Sequence, residues 1–411
     1  MTDTKPNTGP PAFDANDPDF IRNPYPRYRE LRESGEIPVN ADGLYVLTRH
    51  ADVVAALRDT KLSSNPAHRT DLPQGGLTGL PFLSDGTVQL LLVADPPVHT
   101  RLRRLANKAF TPRSVEALRP RVTELVDGLL DAAIDSADGG GCNLMPALAE
   151  PLPVMVICEM LGVPSSDWDQ FKPWSTAIAR SLDAASDPSV LEAAVPAAIG
   201  FVQYFAALIE ERRRDPQPDL LSALIAAEEE GDSFTRPDLF AMVILLFVAG
   251  HETTTNLIGN GTLALLRNRD QFDALNADPG LAPAATEELL RYDSPVQVTA
   301  RTATEPVTVG GLRVDQGQGV VVGLAAANRD PDFVGDPDTL KLSRGAPGHV
   351  AFGNGIHHCL GAPLARLEGQ VVFGRLTQRF PNMALADDDP PYREHFVLRG
   401  LAALPVALDG R

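Results

Sequence analysis

Cysteine is scarce. The 411 residues hold only Cys142, Cys158 and Cys359, too few and too scattered for a disulfide scaffold. That usage suits a reducing interior. Positive charge is short as well: 36 Lys+Arg stand against 54 Asp+Glu, a formal net charge of −18. Phosphate contact needs a positive face, which argues against a nucleic-acid binder. The longest unbroken apolar run, Leu239 to Gly250, has twelve residues, short of the roughly 20 a membrane span takes. The polar start Met1-Thr-Asp-Thr-Lys-Pro shows neither the apolar stretch of a signal peptide nor the arginines of a transit sequence. The expectation is a cytoplasmic protein with no membrane and no nucleic-acid partner.

What is present is ample apolar material, 44% of the chain, enough for a large continuous core. Residues 1–12, rich in Pro, Thr and Gly, read as a flexible tail, and no linker splits 13–411, which reads as a single domain. Prolines open a helix near Pro24 that closes at Gly35, and Gly43 to Thr48 has the character of a short strand. Ala67 to Val88 carries six Gly and Pro residues and reads as a long functional loop, a mobile lid. Apolar residues at 3.6 spacing predict helices over Pro97–Phe110, Val115–Ser136, Leu148–Leu161 and Ala194–Arg214. The strongest helix begins at the capping arrangement Thr235-Arg-Pro-Asp and runs to about Arg269, through the centre of the molecule. Short strand-like runs follow Tyr292, then a Pro/Asp/Gly meander, a last helix over Leu360–Phe380 and a short β-like tail. The fold class is mainly α: one large helical domain with small β-sheets and a long central helix.

The densest chemical signal is Phe352-Gly-Asn-Gly-Ile-His-His-Cys-Leu-Gly-Ala. Its glycines let the backbone turn tightly and approach a flat group closely. Cys359 stands at the start of the last helix, where free N–H groups and the helix dipole favour a thiolate and lower its pKa. Such a thiolate suits an axial iron ligand. A zinc site from His349, His357, His358 and Cys359 is the alternative, though no second Cys lies near and the spacing is not a finger's. A dinucleotide fingerprint fails because His358 stands where the third glycine belongs. Cys142 and Cys158 read as small buried apolar residues.

Every fixed position of Phe352-Gly353-x-Gly-x-His357-x-Cys359-x-Gly361 resembles the haem-binding segment of the cytochrome P450 haem-thiolate monooxygenases. The resemblance implies haem b with Cys359 as its iron ligand. Three further motifs accompany the loop in that family's order. Ala249-Gly250-His-Glu252-Thr253 lies mid-way along the long helix. Gly250 there costs about 1 kcal/mol relative to Ala, and Thr253 can bond back to the carbonyl one turn earlier. It resembles the family's oxygen-binding groove, which implies that Glu252 and Thr253 relay protons. Glu288-Leu-Leu-Arg291, otherwise an ordinary pair on one helical face, resembles the family's structural Glu-x-x-Arg motif. Here Thr339 and Leu340 replace the basic residue and Phe of many relatives, so the pair's third partner stays open. His99 and Arg103, four apart, match the propionate-binding His-x-x-x-Arg, and Arg301 and His357 match the remaining propionate partners.

The resemblance implies a monooxygenase of the soluble bacterial branch acting in secondary metabolism. It would activate dioxygen and hydroxylate or epoxidise a small molecule. Lacking a flavin or nicotinamide fingerprint, it would take electrons from a ferredoxin and ferredoxin reductase. Arg101, Arg104, Lys108, Arg344 and Arg366 are the candidate ferredoxin patch. Coupling, desaturation or peroxide-driven oxidation is the alternative within the fold. A non-catalytic haem sensor is the alternative outside it, and such a sensor normally carries an output domain. The expected substrate pocket is Phe82, Leu83, Leu245, Val248, Val296, Gln297, Val298, Phe396 and Val397. With Gln297 its lone side-chain hydrogen-bonder, this wall suits a mainly apolar, neutral substrate.

Overall fold

The computed structural model describes residues 12–15, 17–40, 43–70, 90–135, 140–183, 188–229, 231–344 and 348–409. The expected tail lies outside them except for Ala12, which pairs in parallel with Val39. Phe82, Leu83 and most of the expected lid also lie outside them.

The central helix, Arg236–Arg267, is 32 residues long, about 48 Å at 1.5 Å per residue. Its start is the capping box read from sequence: the Thr235 side chain accepts from Asp238 N–H, and Asp238 reaches back to Thr235 N–H. The helix passes through the core, with His251, Glu252, Thr254, Thr255, Asn256 and Asn260 all buried along it. It and Glu192–Arg214 are long and apolar enough to span a membrane, but burial inside this fold accounts for the central one.

Around it pack Pro151–Met160, Phe171–Asp183, Ala282–Tyr292 and the last helix, Ala362–Arg379. The few aromatic residues are concentrated. Phe171 stacks on Phe247 with ring centroids 5.0 Å apart and meets Trp174, Phe201, Tyr204 and Phe205 within 5.8 Å. The helix Phe171–Asp183 was not among the sequence expectations, although Phe171, Trp174 and Ile178 have helical spacing.

A six-stranded sheet flanks the helices, ordered Ala12–Phe13, Val39–Asn40, Tyr45–Leu47, Gly319–Gly323, Val298–Ala303, Leu62–Ser63. In it Val298–Ala303 and Gly319–Gly323 run antiparallel, which sets Arg301 opposite Val320. A second sheet joins Ala384–Leu385 and Pro405–Ala407 to Gly141–Asn143.

Candidate functional site

The cysteine loop is built by its own backbone. Gly353 and Gly355 sit at φ +68° and +71°, a region side chains rarely adopt. A Cβ on Gly355 would lie 2.4 Å from Leu57 O, so only glycine fits under the end of helix His50–Arg58. Asn354 Oδ1 accepts from Gly355 N–H and from Arg58 Nε (2.9 Å), and Cys359 N–H closes the loop by donating to Phe352 O (2.9 Å). On the far side Arg366 lies over the Phe352 ring, 4.5 Å from its centroid, and is gripped by Glu287 through two bonds of 2.6 and 3.0 Å. His349 Nε2 donates to the same carboxylate at 3.1 Å, while its Nδ1 accepts from Ala351 N–H. Among the described residues no three His, Cys, Asp or Glu side chains converge as metal ligands, so the zinc alternative finds no cluster.

The Cys359 thiol is accessible to solvent, yet protein surrounds it on nearly every side. It therefore faces an internal cleft rather than the outer surface. Burial pushes its pKa up; the backbone N–H groups of Gly361 and Ala362 and the Arg103 and Arg366 charges push it back down. The helix start acts in the direction the sequence suggests, but desolvation is larger and the net shift is upward. A metal cation would reverse that balance, since coordination deprotonates a thiol outright.

Four basic side chains converge beside it. The His99 and His357 rings lie 4.4 Å apart, and His99 Nε2 is buried with no hydrogen-bond partner among the described residues. Burial, then the neighbouring His99 and Arg301 charges, lower the His357 pKa to about 4. Burial takes Arg301 down to about 10, offset only by Asp95, and its guanidinium finds Ala300 O at 2.7 Å and Thr299 Oγ1 at 3.4 Å. Arg103 is likewise lowered by burial and is helped by the Cys359 charge. Asp95, the acid near them among the described residues, is already bonded to Ser63 Oγ and His68. Two arginines with no carboxylate bonded to them among the described residues, beside two imidazoles that can donate N–H, favour an incoming dianion. Two carboxylates beside a thiolate match haem b, so the residues present fit that cofactor.

In the central helix, Ala249 is open to the cleft although its neighbours Phe247 and Val248 are buried. A Cβ on Gly250 would meet nothing closer than Ile157 Cδ1 at 4.0 Å. Thr253 Oγ1 donates to Ala249 O at 2.7 Å, the back-bond expected of it. Glu252 points elsewhere. Its Oε2 accepts from Arg393 Nη1 (2.9 Å) and its Oε1 from Thr176 Oγ1 (3.3 Å), while the preceding His251 pairs with Ser175 Oγ at 3.0 Å.

Glu288 and Arg291 are wholly buried and doubly bonded, at 2.8 and 2.9 Å. Arg344 supplies the third partner, its Nε 3.1 Å from Glu288 Oε1. Arg291 also donates to the carbonyls of Asn328, Pro337 and Thr339, so the meander contributes backbone where its side chains depart from the common pattern. Arg344 is accordingly not part of a docking face. Arg101 bonds Asp238 at 2.6 Å and Arg104 lies 3.6 Å from Asp232, so these two cations of the expected patch are also engaged within the chain.

The expected pocket needs correction. Gln297 is only 2% exposed; it donates through Nε2 to Ser294 O (2.7 Å) and accepts weakly from Tyr28 OH (3.5 Å). It braces the core and cannot orient a substrate. Val298 packs with Phe20, Tyr28 and Val321 in the same secondary core, and Phe396 lies against Phe20 with centroids 5.8 Å apart. The polar-in-pocket reading failed because strand direction, not polarity, decides which side chains face the cleft. Leu245, Val296 and Val397 are partly buried against the main core, Val248 is buried in it, and Thr299 and Ala300 are open positions that the sequence reading passed over. Arg393, Glu150, Lys172 and Thr176 were also missed.

The fold and site together define a haem-thiolate protein. The Cytochrome P450 family profile matches residues 80–278 and 280–406. The chain is 43% identical over 412 residues to the vitamin D(3) 25-hydroxylase of Pseudonocardia autotrophica, covering 98% of each. It is 39% identical over 396 residues to the 6-deoxyerythronolide B hydroxylase of Saccharopolyspora erythraea, covering 94% of this chain and 96% of that one. The structure of P450BioI bound to a hexadec-9Z-enoic acid ligated acyl carrier protein superposes with a TM-score of 0.87 at 37% identity, over 95% of this chain and 99% of that one. This chain belongs to the cytochrome P450 family. It is an oxidoreductase with haem as its cofactor, working on a small molecule with dioxygen and a redox partner.

Proposed function

We propose that the chain hydroxylates or epoxidises a mainly apolar, neutral secondary metabolite of medium to large size, in the cytoplasm, with electrons from a ferredoxin and its reductase. Residues 13–411 act as one catalytic unit. The observation that carries the reading is a thiol at a helix start beside two arginines and two imidazoles able to hold an anion, with an alcohol-bearing opening in the central helix. Haem, when bound, supplies the reductive activation of dioxygen.

Each residue then has a part. Cys359 holds the iron as a thiolate, with the Gly361 and Ala362 amides sharing its charge. His99, Arg103, Arg301 and His357 take the propionates, and Phe352, Gly353 and Gly361 leave flat room beside the thiol. Ala249 and Gly250 keep the central helix open. Thr253 holds a proton at Oγ1, anchored to Ala249 O, and Glu252 replenishes it. The presence of that acid–alcohol pair supports dioxygen over peroxide as the oxidant. Leu245, Val296 and Val397 give the substrate an apolar wall, where a charge would lack a partner. Relatives named for vitamin D(3) and 6-deoxyerythronolide B support such a substrate class.

Thr253→Ala tests the relay. The variant is expected to bind haem normally and to release more hydrogen peroxide per NADPH consumed. Wild-type coupling in that variant would reduce Thr253 to a structural residue.

A further inference from the structure

The helix His50–Arg58, whose end shapes the cysteine loop, has a cavity at its other end. About 520 Å³ lie between its first turn, the turn Gly35–Pro38 and the segment Asp330–Phe333. That is the size of a small-molecule site, and none of the residues assigned to haem above lines it. Its floor is apolar. Val46 and Leu47 are buried there, with half-buried Ile37 and Phe333 beside them. The Phe333 ring lies flat on the His50 imidazole, with centroids 3.8 Å apart and planes 2° from parallel. Burial lowers the His50 pKa, so this stack is neutral at pH 7.

The polar groups of the cavity are unevenly matched. Buried Arg32 donates to Ala326 O and Arg329 O and lies 3.8 Å from buried Asp330, which accepts the His50 N–H at 2.8 Å. That pair is satisfied, and it already caps the helix start. Asp52 is left over. It is half-buried, and its carboxylate has no hydrogen-bond partner among the described residues. It lies against the Gly310 turn, where a Cβ would fall 2.7 Å from Asp52 Oδ2. Burial raises its pKa, and the Arg49 charge acts the other way. Thr48 is the second unmatched group: it is 5% exposed, yet its hydroxyl has no hydrogen-bond partner among the described residues. Exposed Glu36 and Asp332 at the rim leave the acids in excess over Arg49. An unmatched carboxylate and a buried hydroxyl above an apolar floor suit a group that is positive, donates N–H and carries a flat apolar body.

We propose that this cavity binds a small organic cation, an amidinium, guanidinium or ammonium head on an apolar body, at a site separate from the substrate cleft. The head pairs with Asp52 and donates to Thr48 Oγ1, while the body lies on Ile37 and Phe333. Occupancy bears on the iron-binding loop through contacts at both ends of the helix. His50 Nε2 donates to Gly348 O at 3.4 Å, and at the far end Arg58 holds Asn354 while Leu57 O faces Gly355. A cation seated against the first turn holds the helix in place, and the loop that rests on it opens less often. The site goes beyond the oxidation proposed above and depends on neither its substrate nor its relay.

The test uses the ferric holoenzyme with 4-phenylimidazole on the iron, so that the haem cleft is filled, and benzamidine as the probe in isothermal calorimetry. Benzamide and benzoate share its outline, one without charge and one with the opposite charge. Benzamidine is expected to bind saturably, benzamide at least about tenfold more weakly and benzoate not at all. Asp52→Asn should weaken benzamidine about tenfold and leave benzamide unchanged, and Thr48→Val, which keeps the shape, should weaken benzamidine about threefold. The rate at which apomyoglobin draws haem from the protein should fall about twofold at saturating benzamidine in the wild type, and not in Asp52→Asn. No saturable heat, equal affinity for benzamidine and benzamide, or wild-type affinity in Asp52→Asn would overturn the site. Binding with an unchanged rate of haem loss would overturn its link to the loop. None of these measurements involves turnover, so failure of the proposed oxidation would leave them untouched.

Discussion

Glu368, on the last helix and only 1% exposed, offers a quantitative check on the packing behind the cysteine loop. Its Oε2 has no hydrogen-bond partner among the described residues, and burial raises its pKa from 4.5 to about 8. The folded protein therefore keeps this proton at a pH where the unfolded chain has released it. The native state then binds more protons than the unfolded one, so this group's contribution is fully present below pH 4.5 and is lost as pH rises towards about 8. Within that window the loss approaches about 1.4 kcal/mol per pH unit. Glu368→Gln, unable to ionise, escapes it. Between about pH 5.5 and pH 7.5 the variant should gain about 2.5 kcal/mol on the wild type, whatever their offset at the lower pH. Urea denaturation of both holoproteins, followed by far-ultraviolet circular dichroism at a series of pH values, measures this directly. A stability difference that stays constant across the window would mean that Glu368 is ionised in the fold, and the burial argument would be refuted.

Cys359→Ser should abolish thiolate ligation, because a neutral hydroxyl is a poor iron donor; the reduced, carbon monoxide-bound spectrum is the measurement, and a retained thiolate-type Soret band would overturn the assignment. Ala249→Phe should block the spin-state shift caused by bound substrate while leaving haem content unchanged, and unaltered affinity for an identified substrate would move the pocket elsewhere. Glu288→Gln removes the charge that matches buried Arg291 and half-buried Arg344. It should cost about 3 to 5 kcal/mol and lower haem retention after heating, whereas a stability equal to wild type would deny the pair its structural weight.

Legibility from sequence followed locality. The cysteine loop, the Thr235 cap, the Thr253 back-bond and the Glu288–Arg291 pair each lie within a few turns of chain, so residue type and spacing nearly determine their geometry. The partners of Glu252 were hidden for the opposite reason: Arg393 lies 141 residues away and Thr176 lies 76 away. No periodicity records such a meeting. Thr176 and Lys172 were further obscured because the helix that carries them went unread. Gln297 misled because a lone polar residue among valines suggests a ligand contact, whereas Ser294 and Tyr28 already satisfy it. Arg344 was placed on the surface because the chain bends back there through a meander with no sequence signature.

The contact between Gly355 and Leu57 bears on how the protein matures. The iron-binding loop, late in the chain, takes its shape against the end of His50–Arg58, and the Arg58–Asn354 bond spans 296 residues. On a ribosome the early helix is made long before the loop that it shapes. Closing so long a loop has an entropic cost that local folding cannot offset in advance. Cofactor capture is thereby deferred until both distant segments have met, and a chain stalled short of residue 359 exposes no competent thiol to free haem. The geometry that makes the ligand loop rigid also acts as a checkpoint on synthesis.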